Sequence, residues 1–481
     1  MGDAVLTRPT AASHSSAGGR LVIVSNRLAD PRKPAAGGLA VAIGEALQIS
    51  GGLWFGWSGK VVDAAAGGVA GECTVHTHQA GNVTLVSADL SSADHDTYYR
   101  GYANGVLWPL FHYRLDLVDF NPAFEAGYRR VNRMLARELM KVLKDDDVVW
   151  IHDYHLIPLA AELRSLGSKH RIGFFLHIPL PPQLILAALP AHGWLMRSLF
   201  ACDVVGFQSE ADLLHFARYA VAEAGAEPLP DGRFRLAGRS LTARSFPIGI
   251  DVDEFLRLGQ SGEARETGET LREQYSQRRL MLGVDRIDYS KGLPQRIRTF
   301  RELLERYPEN RKSATLIQIA SPSREDVTSY TDIVHELESI CGEINGNYGE
   351  LDWMPVRYIH RTVARRRLPA MCRAARVALV TPLRDGMNLV AKEYIAAQDP
   401  ADPGVLVLSR FAGAAEQLHE ALLVNPYDIH STADVIQTAL TMPLEERVRR
   451  HRALLKRVRE HDVHWWRRSF LACLESVEVV R

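Results

Sequence analysis

Cysteine is scarce in this chain and poorly placed for chemistry. The five residues, Cys73, Cys202, Cys341, Cys372 and Cys473, are odd in number and scattered, with no CxxC pair. That spacing argues against a disulfide framework and a zinc site, and a reducing cytoplasm is the expected compartment. Net charge is missing as well. Lys plus Arg and Asp plus Glu both total 57, giving a formal net charge of +0, which excludes a nucleic-acid binder working by bulk positive potential. An anionic ligand must then be held by locally placed basic side chains. No apolar run approaches the roughly 20 residues of a membrane-spanning helix, so no membrane partner is expected. The motifs GxSxG, GxxxxGK[ST] and HExxH are absent, as is any internal repeat. Residues 1–19 are rich in Ala, Ser, Thr and Gly without an apolar h-region and read as a mobile tail rather than a signal peptide. Leu6 stands where a myristoylation signal needs Ser or Thr.

What the chain does contain is a recurring short apolar run. Leu21–Val24, Val148–Ile151, Ile172–Leu176, Val204–Phe207, Leu280–Val284, Leu316–Ile319, Val377–Val380, Val405–Leu408 and Leu422–Val424 read as strands. Helical stretches such as Tyr128–Leu143 and Glu302–Tyr307 lie between them. Buried apolar strands alternating with helices predict an α/β fold with parallel sheets covered on both faces. Polar residues follow the runs: Ser25-Asn26-Arg27, His152-Asp153, His177, Gln208-Ser209, Asp285-Arg286, Ala320-Ser321, Arg384-Asp385 and Ser409-Arg410. Doubly wound sheets keep their sites at these carboxyl ends.

The runs divide at Phe246–Ile250, which reads as a hinge between two Rossmann-like domains with a deep cleft between them. The expected organisation is a tail over 1–19, an N-terminal Rossmann-like domain over 20–247 and a C-terminal Rossmann-like domain over 248–455. A terminal helix over 456–481, carrying Trp465, Trp466, Phe470, Leu471 and Leu474, is expected to pack back on the first domain. The polar stretch Gly259 to Thr270 reads as an exposed loop after the crossover.

Several constellations can carry chemistry. Thr381 to Glu393, TPLRDGMNLVAKE, places Asp, Gly and Asn between a strand and a helix, where short side chains leave room for a ligand. Arg286 and Lys291, in DRIDYSKG just past the first strand of the second half, can both reach one anionic group, and a diphosphate is the natural guess. Gly37-Gly38 opens a helix after the first strand, with Arg27 just upstream as a bidentate phosphate ligand. Arg324, after Ser321-Pro322-Ser323, is another basic residue near a strand end. His152-Asp153-Tyr154-His155 does not make a metal site, because the histidines would straddle a strand end and nothing nearby completes a ligand set. Asp153 reads better as an acceptor for a sugar hydroxyl. Asp251-Val252-Asp253 imitates a phosphatase motif, but Phe255 stands where that motif has a small residue.

Taken in order, VSNR, GGLA, GGLWFGWSG, LWPLFHYR, WIHDYHL, IGFFLHIP, VDRIDYSKGLP, INGNYG, TPLRDGMNLVAKEY and DPGVLVLSRFAGAAEQL resemble the bacterial trehalose-6-phosphate synthases, retaining GT-B glycosyltransferases of family 20. The resemblance runs from about Arg20 to the C-terminus. It implies transfer of glucose from UDP-glucose, or another nucleoside-diphosphate glucose, to glucose 6-phosphate, with no metal and no cofactor. It places Arg286 and Lys291 on the donor diphosphate, Leu389 and Val390 beside it through their backbone, and Glu393 on the ribose. Gly38 becomes a donor contact from the opposite domain, and His177, Asp385, Gly386, Met387 and Asn388 surround the donor glucose. Arg27 and Arg324 become ligands of the acceptor phosphate, with Tyr99, Trp108 and Asp153 around the acceptor sugar and Trp57 lining the same pocket. Arg286, Lys291, His177 and Asp153 are the residues expected to carry catalysis. Near Val363, where some relatives have an aromatic residue against the base, this chain has a smaller side chain. Alternatives are a transferase using another phosphorylated acceptor such as glycerol 3-phosphate, a pseudo-glycosyltransferase, or a silent regulatory subunit. The expected partners are small-molecule substrates alone, with a homo-oligomer left open.

Overall fold

The computed structural model describes residues 19–30, 43–44, 47, 50–62, 73–323 and 328–477. Residues 1–18 of the tail, Gly38 and Arg324 lie outside the described residues. The first sheet is built from β1 (Leu21–Arg27), β2 (Gly52–Val62), β3 (Val75–Ala80), β4 (Val83–Ser91), β5 (Val148–His152), β6 (Arg171–Phe175), β7 (Val204–Phe207), β8 (Glu227–Leu229), β9 (Arg233–Leu236) and β10 (Arg239–Ser245). Its order is β3-β4-β2-β1-β5-β6-β7-β10-β9-β8. The strands from β4 to β10 in that order are parallel, and antiparallel strands close both edges.

The second sheet holds β11 (Arg279–Arg286), β12 (Ala314–Ser321), β13 (Val356–Ile359), β14 (Val377–Val380), β15 (Val405–Ser409) and β16 (Leu422–Val424). It is wholly parallel, in the order β13-β12-β11-β14-β15-β16. The chain therefore reverses direction across the sheet between β11 and β14, and between β1 and β5 in the first. A crevice opens at such reversal points, beyond the carboxyl ends of the strands.

All nine apolar runs are strands, because continuous Val, Ile and Leu suit a layer buried on both faces. The stretch expected as an exposed loop, Gly259 to Thr270, is instead mostly helix: Gly262–Tyr275 is helical. Ser261 Oγ caps it by accepting from Ala264 N at 3.2 Å. Its sparse apolar residues, Ala264, Leu271 and Tyr275, fall on one buried face, and the Glu- and Arg-rich face is exposed. His95–Leu107 winds as a wide helix in which Trp108 N–H reaches back five residues to Ala103 O. Such wide turns are rare and often lie at functional sites.

The helix Val463–Ser476 starts at Asp462, whose carboxylate accepts from Trp465 N at 2.6 Å. Phe470 stacks on Trp150 of β5 at 4.6 Å, and Trp466 lies 4.9 Å from the same ring. Gly173 and Gly206 make room, since a Cβ there would come within 2.6 Å and 2.9 Å of the Phe470 ring. Each aromatic ring buried in this way contributes about 1.5–3 kcal/mol. Among the described residues, no helix is long and apolar enough to cross a membrane.

Candidate active site

The crevice of the second sheet is built on a buried ionic support. Arg296, 2% exposed, donates to Asp285 Oδ2 at 2.6 Å, Thr381 Oγ1 at 2.9 Å and Gln318 Oε1 at 3.1 Å. These contacts tie the ends of β11 and β14 together. The single turn Tyr289–Lys291 follows, and Gly292 at φ 64° closes it. A side chain at Gly292 would meet Thr381 O at 2.7 Å, so the turn sits directly against the chain leaving β14.

That proximity delivers Lys291 to the loop after β14. Its Nζ lies 2.6 Å from Asp385 Oδ2, which also accepts from Asn388 Nδ2 at 3.0 Å. Burial favours the neutral acid at Asp385, but Lys291, His112 and Asn388 outweigh it and hold the pKa below the usual carboxylate value. Asn388 adopts φ 85°, ψ 93° and caps the helix Leu389–Ala397, accepting from Ala391 N at 3.3 Å. Leu389 and Val390 open that helix, where backbone N–H groups have no intrahelical acceptor and favour an anion. Arg286 at the end of β11 donates to Ser323 Oγ at 3.2 Å, and its guanidinium lies 5.9 Å from the Trp108 ring of the other domain.

Glu393 stands apart from this cluster. Burial pushes its pKa up to about 7, with Arg365 opposing the shift and Glu254 adding to it. Arg365 itself pairs with Glu254 at 2.9 Å.

Across the cleft, aromatic rings form a wall. Tyr99, on the wide helix, stacks against His155 at 5.8 Å and lies 5.3 Å from Trp57. Arg27, at the end of β1, lies 5.7 Å from the Trp57 ring. Gly59, at φ 87°, accommodates that guanidinium, because a Cβ would come 2.8 Å from Arg27 Nε. Asp153, just past β5, is held at φ 76°, and its Oδ1 accepts from His177 N at 3.2 Å. Non-glycine residues at positive φ are costly and concentrate at functional sites. Asp153 and Asn388 supply one from each domain.

The two halves meet directly. A Cβ on Gly386 would lie 2.3 Å from His177 O, so the loop after β14 and the first domain touch backbone to backbone. Arg384 lies 4.6 Å from the Tyr113 ring, and Arg114 lies 5.3 Å from the Tyr289 ring. Glu416 accepts from Glu210 N at 2.8 Å and Ala211 N at 3.2 Å, at the start of the helix Glu210–Ala222. Met387 is buried behind the loop.

The fold thus joins Lys291 with Asp385 and Asn388, His177 with Asp153 and Gly386, Arg286 with Trp108, and Arg27 with Trp57 and Tyr99. Sequence reasoning did not single out His112, which lies 4.2 Å from the Trp108 ring and is pushed down to about 4 by burial. It also passed over Gln208 as a partner of the His177 ring, and Lys392 altogether. His112 stands inside the LWPLFHYR block, and Lys392 inside LVAKEY, so block membership was the only available signal. Among the described residues, no three His, Cys, Asp or Glu side chains are arranged to hold a metal ion.

Residues 23–476 match the description Glycosyltransferase family 20. The chain belongs to glycosyltransferase family 20. A relative from Klebsiella pneumoniae, named trehalose-6-phosphate synthase, is 47% identical over 460 residues, covering 95% of each chain. One of the same name from Sinorhizobium fredii is 48% identical over 456 residues, covering 94% of this chain and 97% of its own. Among solved structures, a UDP-forming α,α-trehalose-phosphate synthase from Burkholderia xenovorans in complex with glucose-6-phosphate superposes with a TM-score of 0.91. It is 48% identical and covers 95% of this chain and 100% of that one. An E. coli structure bound with UDP-2-fluoro glucose superposes at 0.90, with 44% identity and coverage of 96% and 100%. The two doubly wound domains of this family 20 glycosyltransferase are therefore a GT-B fold.

Proposed function

We propose that this glycosyltransferase moves glucose from UDP-glucose to glucose 6-phosphate with retention, releasing UDP and α,α-trehalose 6-phosphate. The observation that carries this reading is the near-complete likeness to a chain solved with glucose-6-phosphate, combined with two opposed crevices of the right chemistry. Arg286, Lys291 and the start of the helix Leu389–Ala397 hold the diphosphate, Asp385 to Asn388 hold the donor glucose, and Glu393 holds the ribose. Gly38 adds a donor contact from the opposite domain. Arg27 and Arg324 hold the acceptor phosphate, and Trp57, Tyr99, Trp108 and Asp153 enclose its sugar.

The bond from the donor C1 to the diphosphate oxygen breaks, and one from C1 to the acceptor hydroxyl forms on the same face. The hydroxyl proton passes to the leaving diphosphate. Negative charge growing on that oxygen is stabilised by Arg286 and Lys291. Closure of the cleft along Gly386 and His177 keeps water from the donor. Arg27 and Arg324 hold the nucleophile in place. The reaction uses its two substrates and no further cofactor, and five unpaired cysteines suit a reducing cytoplasm.

The test is a matrix of UDP-glucose and GDP-glucose against glucose 6-phosphate and glycerol 3-phosphate, followed by nucleotide release. The reading requires turnover with glucose 6-phosphate. Turnover with glycerol 3-phosphate alone, or none with glucose 6-phosphate under either donor, overturns it.

A further inference from the structure

Ile248, in the crossover between the domains, is held on both sides of its peptide. Its N–H donates to Gln208 Oε1 at 3.0 Å, and its carbonyl accepts from Lys392 Nζ at 2.7 Å. Gln208 is 2% exposed, and its other amide atom, Nε2, lies 3.4 Å from His177 Nδ1. His177 Nε2 in turn lies 3.1 Å from His152 Nδ1.

One unambiguous donor fixes every proton in this chain. A backbone N–H can only donate, so the Gln208 atom facing it is the carbonyl oxygen. The amide nitrogen then faces His177 and donates, which leaves His177 Nδ1 as an acceptor. The neutral ring carries its proton on Nε2 and donates it to His152 Nδ1, and the His152 proton sits on Nε2. That last atom finds no oxygen or nitrogen partner among the described residues. The Trp150 ring, 4.5 Å from the His152 ring, and Trp466, 6.1 Å away, offer π faces instead. An imidazolium at His177 would point an N–H at the Gln208 amide. It would also place a charge among Phe175, Trp466 and a second histidine, at ring distances of 4.7 Å, 6.0 Å and 5.3 Å. Burial accordingly lowers the pKa of His177 to about 3 and that of His152 well below its usual value.

We propose that Gln208 is a positioning residue that locks His177 as the neutral Nε2–H tautomer and ties its ring to the interdomain crossover. Its backbone is pinned separately, by Asp153 on its N–H and by the close approach of Gly386 to its carbonyl. The ring hold keeps His177 registered against the donor loop as the domains move. The inference rests on the placement of His177 beside the donor sugar, but its first test needs no turnover.

The experiment is long-range ¹H–¹⁵N spectroscopy of the full chain labelled at histidine, with His177 assigned by comparison with His177→Asn. Wild type is expected to show an unprotonated Nδ1 and a protonated Nε2 on His177. In Gln208→Glu the carboxylate still accepts from Ile248 N but now demands a proton from Nδ1. His177 should switch tautomer or gain a proton, and the rate should acquire a pH-dependent limb that wild type lacks. Gln208→Met should lower kcat by about tenfold to a hundredfold while leaving the acceptor KM within twofold. A wild-type proton on Nδ1 overturns the proposal, as does a Gln208→Glu spectrum and pH profile that superimpose on wild type. Should Gln208→Glu fail to fold, the wild-type spectrum alone still decides.

Discussion

Lys291 Nζ and Asp385 Oδ2, 94 residues apart in the chain, lie 2.6 Å apart across the crevice between β11 and β14. The cation assigned to the donor diphosphate and the carboxylate assigned to the donor sugar are therefore one ion pair. Each side chain is only 14% exposed, so neither is well solvated on its own. Asp385 sets where the ammonium sits, and Lys291 keeps the carboxylate ionised.

This pairing separates stability from catalysis. Lys291→Ala should lower kcat/KM by about 10²–10³-fold, the usual cost of losing a charge at a developing oxyanion. It should also cost about 3 kcal/mol of stability by leaving a buried carboxylate without its partner. Lys291→Ala with Asp385→Asn should recover most of the stability and none of the activity, measured by denaturant unfolding and nucleotide release. Recovery of activity in the double variant would show that Lys291 only neutralises Asp385.

Gly386 is expected to act through closure of the cleft. Its added Cβ would lie 2.3 Å from His177 O, a backbone atom that cannot rotate away. Gly386→Ala should hold the donor loop off the first domain and lower kcat/KM by about a hundredfold. The thermal midpoint should change little, since neither sheet loses a core contact. A fully active Gly386→Ala enzyme would mean that this approach is not needed for transfer.

Lys392 contributes a pH-dependent term to stability. Burial lowers its pKa from 10.5 to about 7, although it donates to Ile248 O and to Gln417 Oε1, each at 2.7 Å. Below pH 7 both folded and unfolded chains carry the proton, and the full cost of a buried charge is present. Between about 7 and 10.5 only the unfolded chain carries it, so stability rises with pH. Relative to Lys392→Met, the wild type should gain up to about 1.4 kcal/mol per pH unit above pH 7 and nothing below it. Parallel denaturant-unfolding curves for the two proteins across pH 6–9 would refute the shift.

The contrast between Val377–Val380 and Gly262–Tyr275 shows how far the sequence could be read. Uninterrupted β-branched runs announce strands buried on both faces, and the polar residues behind them mark the crevices. A helix that buries only Ala264, Leu271 and Tyr275 shows too few apolar positions to stand out from a loop, and one Ser cap is easily passed over. The strands β9 and β10, RFRL and RSLTARS, were illegible for a related reason: their exposed positions Arg233, Arg235 and Arg244 are arginine, so no apolar run forms. At the site, Arg286 and Lys291 could be picked out from their strand end. The Lys291–Asp385 pair depends on β11 lying beside β14 in the folded sheet, and the chain from His177 through Gln208 to Ile248 on how the crossover lies against the first domain, which no local pattern encodes.

Glu393 should make donor recognition pH-dependent. Burial raises its pKa from 4.5 to about 7, against the opposing charge of Arg365 and with help from Glu254. The folded chain therefore holds a proton there between about pH 4.5 and 7 that the unfolded chain has lost, and this group's contribution to stability declines as pH rises through that window. Its contribution to binding runs the other way. A carboxylate accepts from ribose hydroxyls more strongly than a carboxylic acid does, by about 1 kcal/mol, or roughly fivefold in affinity. UDP-glucose carries a diphosphate without a second ionisation near neutrality, so its own charge is constant over this range. The KM for UDP-glucose should fall about threefold from pH 6 to pH 8 in the wild type. In Glu393→Gln it should be flat, and higher than the wild-type value at pH 8. The same fall in both proteins would place the titrating group elsewhere and remove Glu393 from the ribose.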